Sequence, residues 1–408
     1  MYYMIIKEKI FDHFDFTLTL QKSSFFVADK ENILRYLSNG NYLVEVETMT
    51  LDINFSMIAD GYGWNVNMIK YCDWYDLTKI ETFEMMLQNG FDLRVSDDYA
   101  LRWACKNNLI PIIKFLIQHG ANVTACDDSS IQLASEKLNF ETVKILIKNG
   151  ASIHAGGDLA LHYAVINNFP DMVIFLIDNG ADIHINNNYL LQQASKHGYE
   201  KIVKILLKNG ADMHACNNLA LKLACKNNHP SIVKMLLDRK PKPDTHIKLF
   251  KSLQLACKFG YTDIVKNLLQ YDSLKFNEIQ INVFVRSAVK YGQLSILNVL
   301  IKYFSKRIDV KNYVLIYAAE YGQINIVAYA LKNGADSFAG KDAPLVLSSK
   351  NGHYEVVKLL LEHRTNAILL IDNAIKRKFT LSQYYSGNAN ALEWAMFNQH
   401  QPIINILK

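Results

Sequence analysis

Arginine and paired cysteines are scarce in this chain. Its 408 residues include 6 Cys, at positions 72, 105, 126, 216, 225 and 257, and no two stand in C-x-x-C spacing. Neither a disulfide framework nor a cysteine-based zinc module is suggested, so reduced thiols are expected. Of the 44 basic residues only 8 are Arg and 36 are Lys. Lysine is the weaker residue for bidentate recognition of phosphate or guanine, which argues against sequence-specific nucleic-acid reading. No apolar run reaches the roughly 20 residues of a membrane span, and residues 1–14 alternate charge with apolar positions instead of building a signal-peptide core. A cytoplasmic chain without signal peptide or transmembrane segment is expected.

Catalytic signatures are also lacking. The G-x-S-x-G, H-E-x-x-H, G-x-G-x-x-G and kinase patterns do not occur. The nearest phosphate-loop candidate runs from Gly334 to Lys341, with five residues between its glycines instead of four and Asp342 where a magnesium-binding hydroxyl belongs. No enzyme and no cofactor are expected.

What is present is a folded composition, 50% hydrophobic and 20% charged, with a formal net charge of +5. That charge is unevenly placed. Residues 1–100 hold 8 basic against 16 acidic side chains, a balance of −8, which leaves +13 for the other 308. Spread so thinly, +13 is dilute for a dedicated nucleic-acid binder.

A repeat organises most of the chain. Glycine recurs at Gly90, Gly120, Gly150, Gly180 and Gly210, an interval of 30 residues. In the same register stand Ala104, Ala134, Ala164, Ala194, Ala224, Ala256, Ala288 and Ala318, then Ser348 and Ala395. Within a copy, Leu101 and Ala104 share one helical face, and Ile112, Ile113, Leu116 and Ile117 share another. Two short amphipathic helices per copy follow. Pro111, Pro170, Pro230 and Pro402 fall at the start of the second helix, where a missing N–H costs nothing. The glycine closes that helix in a left-handed conformation, and a short extended connection leads on to the next copy. Helices of about ten residues cannot bury both faces alone, so copies must stack, and the small slot lets neighbours approach.

These units resemble the ankyrin repeat, as in Glu200-Lys-Ile-Val-Lys-Ile-Leu-Leu-Lys-Asn-Gly-Ala-Asp-Met-His214. The resemblance implies a mainly α ankyrin-repeat solenoid of about ten or eleven copies over residues 76–408, irregular near 238–252 and 364–390. Asp238 to Phe250 is expected as a loop break and Leu370 to Tyr385 as a divergent helix. The family's Thr-Pro-Leu-His start is replaced by Tyr99-Ala-Leu-Arg102 or Leu159-Ala-Leu-His162, and only Ala343-Pro344-Leu345-Val346 keeps the proline. A unit of 30 rather than about 33 residues implies shortened fingers. This short type is similar to the ankyrin proteins of giant DNA viruses of the mimivirus kind, and so is the leader from Asp60-Gly61 through Trp64 to Ile69.

Residues 1–75 do not follow the repeat. Tyr42 to Met49 and Leu51 to Ile58 alternate in the manner of strands, with a turn at Asp60-Gly61-Tyr62-Gly63, so a small β-rich or α+β capping domain is expected.

His154, His184 and His214 share a register, but stacked copies lie about 10 Å apart, whereas two imidazoles on one zinc need nitrogens within roughly 4 Å. No metal site is expected; the histidines should hydrogen-bond backbone between copies. Cys105, Cys225 and Cys257 follow the small slot and read as core residues rather than nucleophiles.

The first helices offer a partner-binding face. Trp103, Tyr163, Tyr317 and Trp394 precede the small slot, and Gln193 stands at the same position. Lys106, Asn107, Asn167, Lys196 and Lys226 are polar neighbours that vary between copies. Partly exposed aromatics on a rigid surface are the usual anchors of protein interfaces. The expected function is non-enzymatic binding of a protein, a host protein if the chain is viral. One alternative is an adaptor whose N-terminal domain recruits a second protein such as a ubiquitin-ligase component. Another is binding of nucleic acid or anionic lipid through the second-helix slot Lys114, Lys144, Lys204, Lys234, Lys266 and Lys358.

Overall fold

The computed structural model describes residues 1–7, 25–48, 50, 55–239, 246–271, 276–305, 309–374 and 382–408. Its contacts divide into two compact units, Met1–Leu190 and Leu191–Lys408.

The first unit begins with two antiparallel three-stranded sheets. Strands β1 (Tyr2–Ile6), β3 (Tyr42–Thr48) and β6 (Ile69–Asp76) form one in the order β1-β3-β6. Strands β2 (Phe25–Val27), β5 (Gly63–Val66) and β4 (Met57–Asp60) form the other in the order β2-β5-β4. The expected Gly61-Tyr62 turn is there, joining Asp60 to its cross-strand partner Gly63. Met4, Val27, Val44, Val46, Val66 and Ile69 make a common core between the sheets. Of the expected strand from Leu51 to Ile58, residues 51–54 lie outside the described residues and the strand itself starts at Met57. A 3-10 helix, Ile33–Asn39, buries Ile33, Leu34 and Leu37.

These elements rest directly on the first helices. Tyr3 meets Phe91 edge-on at 4.8 Å, and Arg35 donates to the Ser96 hydroxyl at 2.5 Å.

Among the described residues a single helix, Ile80–Gln88, is followed by ten helix pairs, from Val95–Lys106 with Ile110–Gln118 to Ser382–Phe397 with Gln401–Leu407. The small slot behaves as its register requires. All ten residues, Ala104 through Ala395 with Ser348 among them, are fully buried. Ser348 is admitted because its hydroxyl donates back to the Pro344 carbonyl at 2.8 Å, so no polar group is stranded. Second helices bury two apolar residues per turn, such as Ile202, Val203, Leu206 and Leu207. Gly150, at φ +98°, closes its helix in the left-handed region, with the Ala151 N–H bonded to the Leu146 carbonyl.

The connection between copies departs from the extended link expected of it. In six copies the first-helix span opens with a turn of three consecutive left-handed residues, for example Cys126-Asp127-Asp128 at φ 53°, 54° and 58° and Asn186-Asn187-Asn188 at 49°, 56° and 60°. A left-handed turn costs roughly 1–2 kcal/mol per ordinary L-residue, and Gly, Asn and Asp bear it best. Those are the residues that dominate the triplets.

Two irregular regions also differ from expectation. The helix His246–Phe259 starts inside the segment expected to be a loop, because Leu249 and Leu253, four apart, extend its buried face; residues 240–245 lie outside the described residues. Leu370 to Tyr385 is not a separate helix. Its first part prolongs Tyr354–Ala374 and its last part opens Ser382–Phe397, with 375–381 outside the described residues.

Candidate functional site

The first helix Val95–Lys106 and the end of the 3-10 helix with the residues after it enclose a cleft of about 330 Å³ in the first unit. Its walls are Leu37, Ser38, Gly40 and Asn41 on one side and Tyr99, Arg102, Trp103, Lys106, Asn107 and Leu133 on the other. Gly40 has a packing reason, since a Cβ there would stand 1.8 Å from the Ile6 carbonyl oxygen. Only glycine lets the wall come so close to β1.

Trp103 is less exposed than expected. It shows 7% of its surface and stacks on Phe83 at 6.5 Å, because the helix Ile80–Gln88 covers it. Its edge contributes apolar floor rather than a free platform. Arg102 is held in place by the carbonyls of Asp97 and Ser96, the latter at 2.9 Å, and its guanidinium reaches Cys126 Sγ at 3.1 Å. Asn107 caps its helix, donating to the Trp103 carbonyl at 2.8 Å. Lys106 is exposed at the rim. The lining thus holds two cations and no carboxylate over an apolar base.

The remaining expected residues are distributed along other copies. Tyr163 is half-buried and Asn167 exposed, with its side chain capping at the Tyr163 carbonyl, 3.0 Å away. In the second unit Gln193 is half-buried, Lys196 and Lys226 are exposed, and the Lys196 carbonyl accepts from His229 Nε2 at 3.0 Å. Tyr317 is half-buried under the Arg286 guanidinium, 5.6 Å from its ring centre, and burial raises its phenol above the ordinary value. The cleft therefore unites Trp103, Lys106 and Asn107, and adds Tyr99 and Arg102, which sequence reasoning passed over. No periodic signal marks the Ser38 to Asn41 wall.

The histidine ladder is structural, but its partners are not the backbone of the next copy. His154 donates from Nδ1 to the Asp158 carboxylate at 3.0 Å, and His184 and His214 reach the Asn188 and Asn218 amide oxygens at 3.2 and 2.8 Å. The stitch between copies comes instead from the residue before the second helix. His229, His353 and His400 each donate to a carbonyl at the end of a preceding first helix, at 3.0 Å.

Burial pushes the thiols of Cys105 and Cys225 up to about 12 and raises that of Cys257 as well, which suits core residues and not nucleophiles. The phosphate-loop candidate is a connection between copies. Gly334 ends a helix, Gly340, Lys341 and Asp342 form a left-handed triplet, and buried Asp342 accepts from Arg364 at 2.7 Å. Among the described residues no three His, Cys, Asp or Glu converge as a metal would require. No helix among them is long and apolar enough to cross a membrane.

Comparison with known proteins agrees with this architecture. The family described as ankyrin repeats in three copies matches residues 75–156, 101–187, 190–282 and 285–369. Ankyrin repeat protein R229 of Acanthamoeba polyphaga mimivirus is 33% identical over 95 residues, 22% of this chain and 31% of the relative. Ankyrin repeat protein R896 of the same virus is 31% identical over 92 residues, 22% of this chain and 28% of the relative. A third, L100, is 38% identical over 80 residues, 19% of this chain and 13% of the relative. The chain spans less than a third of the length of each of these relatives. With the family matched almost without a break from residue 75 to residue 369, and the helices following one another in pairs, the chain belongs to the ankyrin repeat family.

Proposed function

We propose that this chain acts by non-enzymatic binding of a protein partner along the face of its first helices, with the Trp103 cleft as an anchor point. Residues 1–75 serve as a capping domain and 76–408 as the repeat array that holds the face. The observation that carries the reading is the cleft itself, where Arg102 and Lys106 stand over an apolar base of Trp103, Leu37 and Leu133 with no acidic residue in the lining. An aliphatic or aromatic side chain next to a carboxylate would fill it and meet both cations. Because the walls are packed before binding, little ordering is needed on this side.

The adaptor alternative loses force because Leu37 to Asn41 form one wall of this same cleft. The N-terminal domain then takes part in one site rather than recruiting separately. In the lysine slot, Lys144 and Lys266 are paired with Glu141 at 2.7 Å and Asp263 at 3.1 Å, which interrupts any continuous anionic-surface site.

The relatives belong to a virus of Acanthamoeba polyphaga, so a lysate of that amoeba, where this protein would work in the host cytoplasm, is the material to test. The intact chain is compared with Tyr99→Ala and Lys106→Glu in affinity capture with quantitative mass spectrometry. A salt-resistant protein partner, reduced at least about tenfold by either change, is expected. Capture unaffected by both changes, or capture abolished by nuclease or moderate salt, overturns the reading. Trp103 is left intact because its stacking on Phe83 makes it structural.

A further inference from the structure

The turn between the two helices of a copy passes through one left-handed residue, Asn108, Asn168, Asn228, Gly260, Gly292, Gly322, Gly352 or Gln399 among others. The residue just before it has a capping task. Asn107, Asn167, Asn227 and Asn398 donate their side-chain N–H to the carbonyl four residues back at 2.8 to 3.0 Å, satisfying the end of the first helix. In three consecutive copies of the second unit this asparagine is absent. Phe259, Tyr291 and Tyr321 stand in its place.

Two of these rings, Phe259 and Tyr291, give up the cap without gaining burial, whereas Tyr321 is half-buried. Phe259 is 48% exposed and Tyr291 46% exposed. Leu294 and Ile324, at the start of the following second helices, are also more than a third exposed, so the strip is apolar over consecutive copies. It is basic as well. Lys258 Nζ lies 5.2 Å from the Phe259 ring centre and 5.0 Å from that of Tyr291, and Lys290 Nζ lies 5.9 Å from Tyr291. Among the described residues neither lysine has an ion-pair partner, whereas Arg286 is bonded to Glu320 at 2.8 Å and to the Tyr321 hydroxyl at 2.8 Å.

We propose that this turn edge is a second docking surface, distinct from the first-helix cleft, which takes an acidic peptide segment of a partner protein. Two lysines without an ion-pair partner among the described residues, set beside exposed rings, match a segment carrying one or two carboxylates beside apolar side chains. A single-stranded nucleic acid fits less well. Its continuous phosphates would require a cation at each copy and would meet Glu320, and Lys258 already sits over the ring faces on which bases would stack.

The test uses the full chain against a randomised dodecapeptide library displayed on phage, followed by titration of the enriched peptides and of a (dT)20 oligonucleotide. The key variant is Phe259→Asn, Tyr291→Asn and Tyr321→Asn together, which installs the cap that other copies have. Expected are enriched peptides rich in Asp and Glu with interspersed apolar residues. Their affinity should fall at least about tenfold in the triple variant, while the Tm of Phe259→Asn with Tyr291→Asn alone, which leaves the Tyr321 bond to Arg286 in place, is unchanged or higher. The same loss is expected in Lys258→Gln with Lys290→Gln, which keeps the rings, and none in Lys106→Glu. The proposal is overturned if no acidic sequences are enriched, if binding survives the triple variant or is lost only with Lys106→Glu, or if (dT)20 binds to the strip instead. A fall in Tm of Phe259→Asn with Tyr291→Asn also overturns it, since Phe259 and Tyr291 would then be structural.

Discussion

Asp158 ties its own copy to the next, because its carboxylate, 4% exposed, accepts the backbone N–H of Asp182 at 3.0 Å. The same carboxylate receives His154 Nδ1, so one buried side chain serves a donor on either side of the stack. Asp128 does likewise for the Ser152 N–H at 2.8 Å. Replacing Asp158 with Ala would remove the acceptor shared by the Asp182 backbone N–H and the exposed His154 imidazole, a loss of about 1–3 kcal/mol for hydrogen bonds to a charged group. Asn stands at the equivalent positions 188 and 218, and there too it accepts from a histidine. Asp158→Asn should therefore lose less than about 1 kcal/mol. Urea unfolding midpoints for the two variants check this, and equal losses would refute the stapling role.

The thiols make a prediction about alkaline pH. Cys105 and Cys225 are raised to about 12 from an ordinary value near 9 by burial. Between those values the unfolded chain has released protons that the folded chain retains. Stability must then fall as pH rises through the window, by about 1.4 kcal/mol per pH unit for each buried thiol. Buried Ser135, Ser195 and Ser349 show that the position after the small slot, where these cysteines stand, accepts serine. Changing Cys105, Cys225 and Cys257 to Ser should flatten the decline between about pH 9 and 11 relative to the parent chain, measured by urea unfolding at each pH. Thiol labelling offers a parallel check: exposed Cys126 and Cys216 should react in the native state and the three buried thiols only on unfolding.

Much of this architecture is legible in the sequence, and particular residues explain where legibility stops. The small slot announces itself because only a residue without a long side chain can stand at Ala104 or Ala224, where exposure is 0%. Pro111 and Pro170 mark helix starts for an equally local reason. The burial of Trp103 is different. It depends on Phe83, which lies in a helix before the first full copy, and no period relates the two. The cleft wall at Ser38 to Asn41 comes from a segment outside the repeat. The left-handed triplets lie between these cases. Their Asn, Asp and Gly content is visible, but propensity marks single left-handed residues, and three in succession persist only because neighbouring copies hold them.

Two glycines at corresponding strain separate backbone cost from packing cost. Gly150 has φ +98°, and a Cβ added there would meet no atom within 4 Å, whereas at Gly198, φ +80°, that carbon would lie 2.5 Å from His229 Cε1. Gly150→Ala should lose about 1–2 kcal/mol, the cost of a left-handed L-residue. Gly198→Ala should lose more, because His229 must also leave the Lys196 carbonyl it bonds at 3.0 Å. In a His229→Ala background the Gly198→Ala loss should shrink toward that of Gly150→Ala. A double-mutant cycle by urea unfolding reads the coupling, and an additive result would rule out the clash.

The left-handed triplet predicts an inversion of the usual ranking of substitutions. Asp127 is the middle residue of Cys126-Asp127-Asp128, at φ 54° and ψ 49°, and its side chain is exposed. Glycine ordinarily weakens a helix relative to other residues, but here it adopts the required angles without a steric penalty, so Asp127→Gly should be neutral or stabilising. Valine branches at Cβ and is poorly tolerated at positive φ, so Asp127→Val should lose at least about 1–2 kcal/mol although it touches no core residue. The backbone carbonyl of Asp127, which accepts from Gln132 Nε2 at 2.7 Å, is unchanged by either substitution. If the connection were extended, as the sequence suggests at first reading, valine would be the better residue and glycine the worse. Thermal unfolding of the two variants decides between the geometries by the sign of their difference.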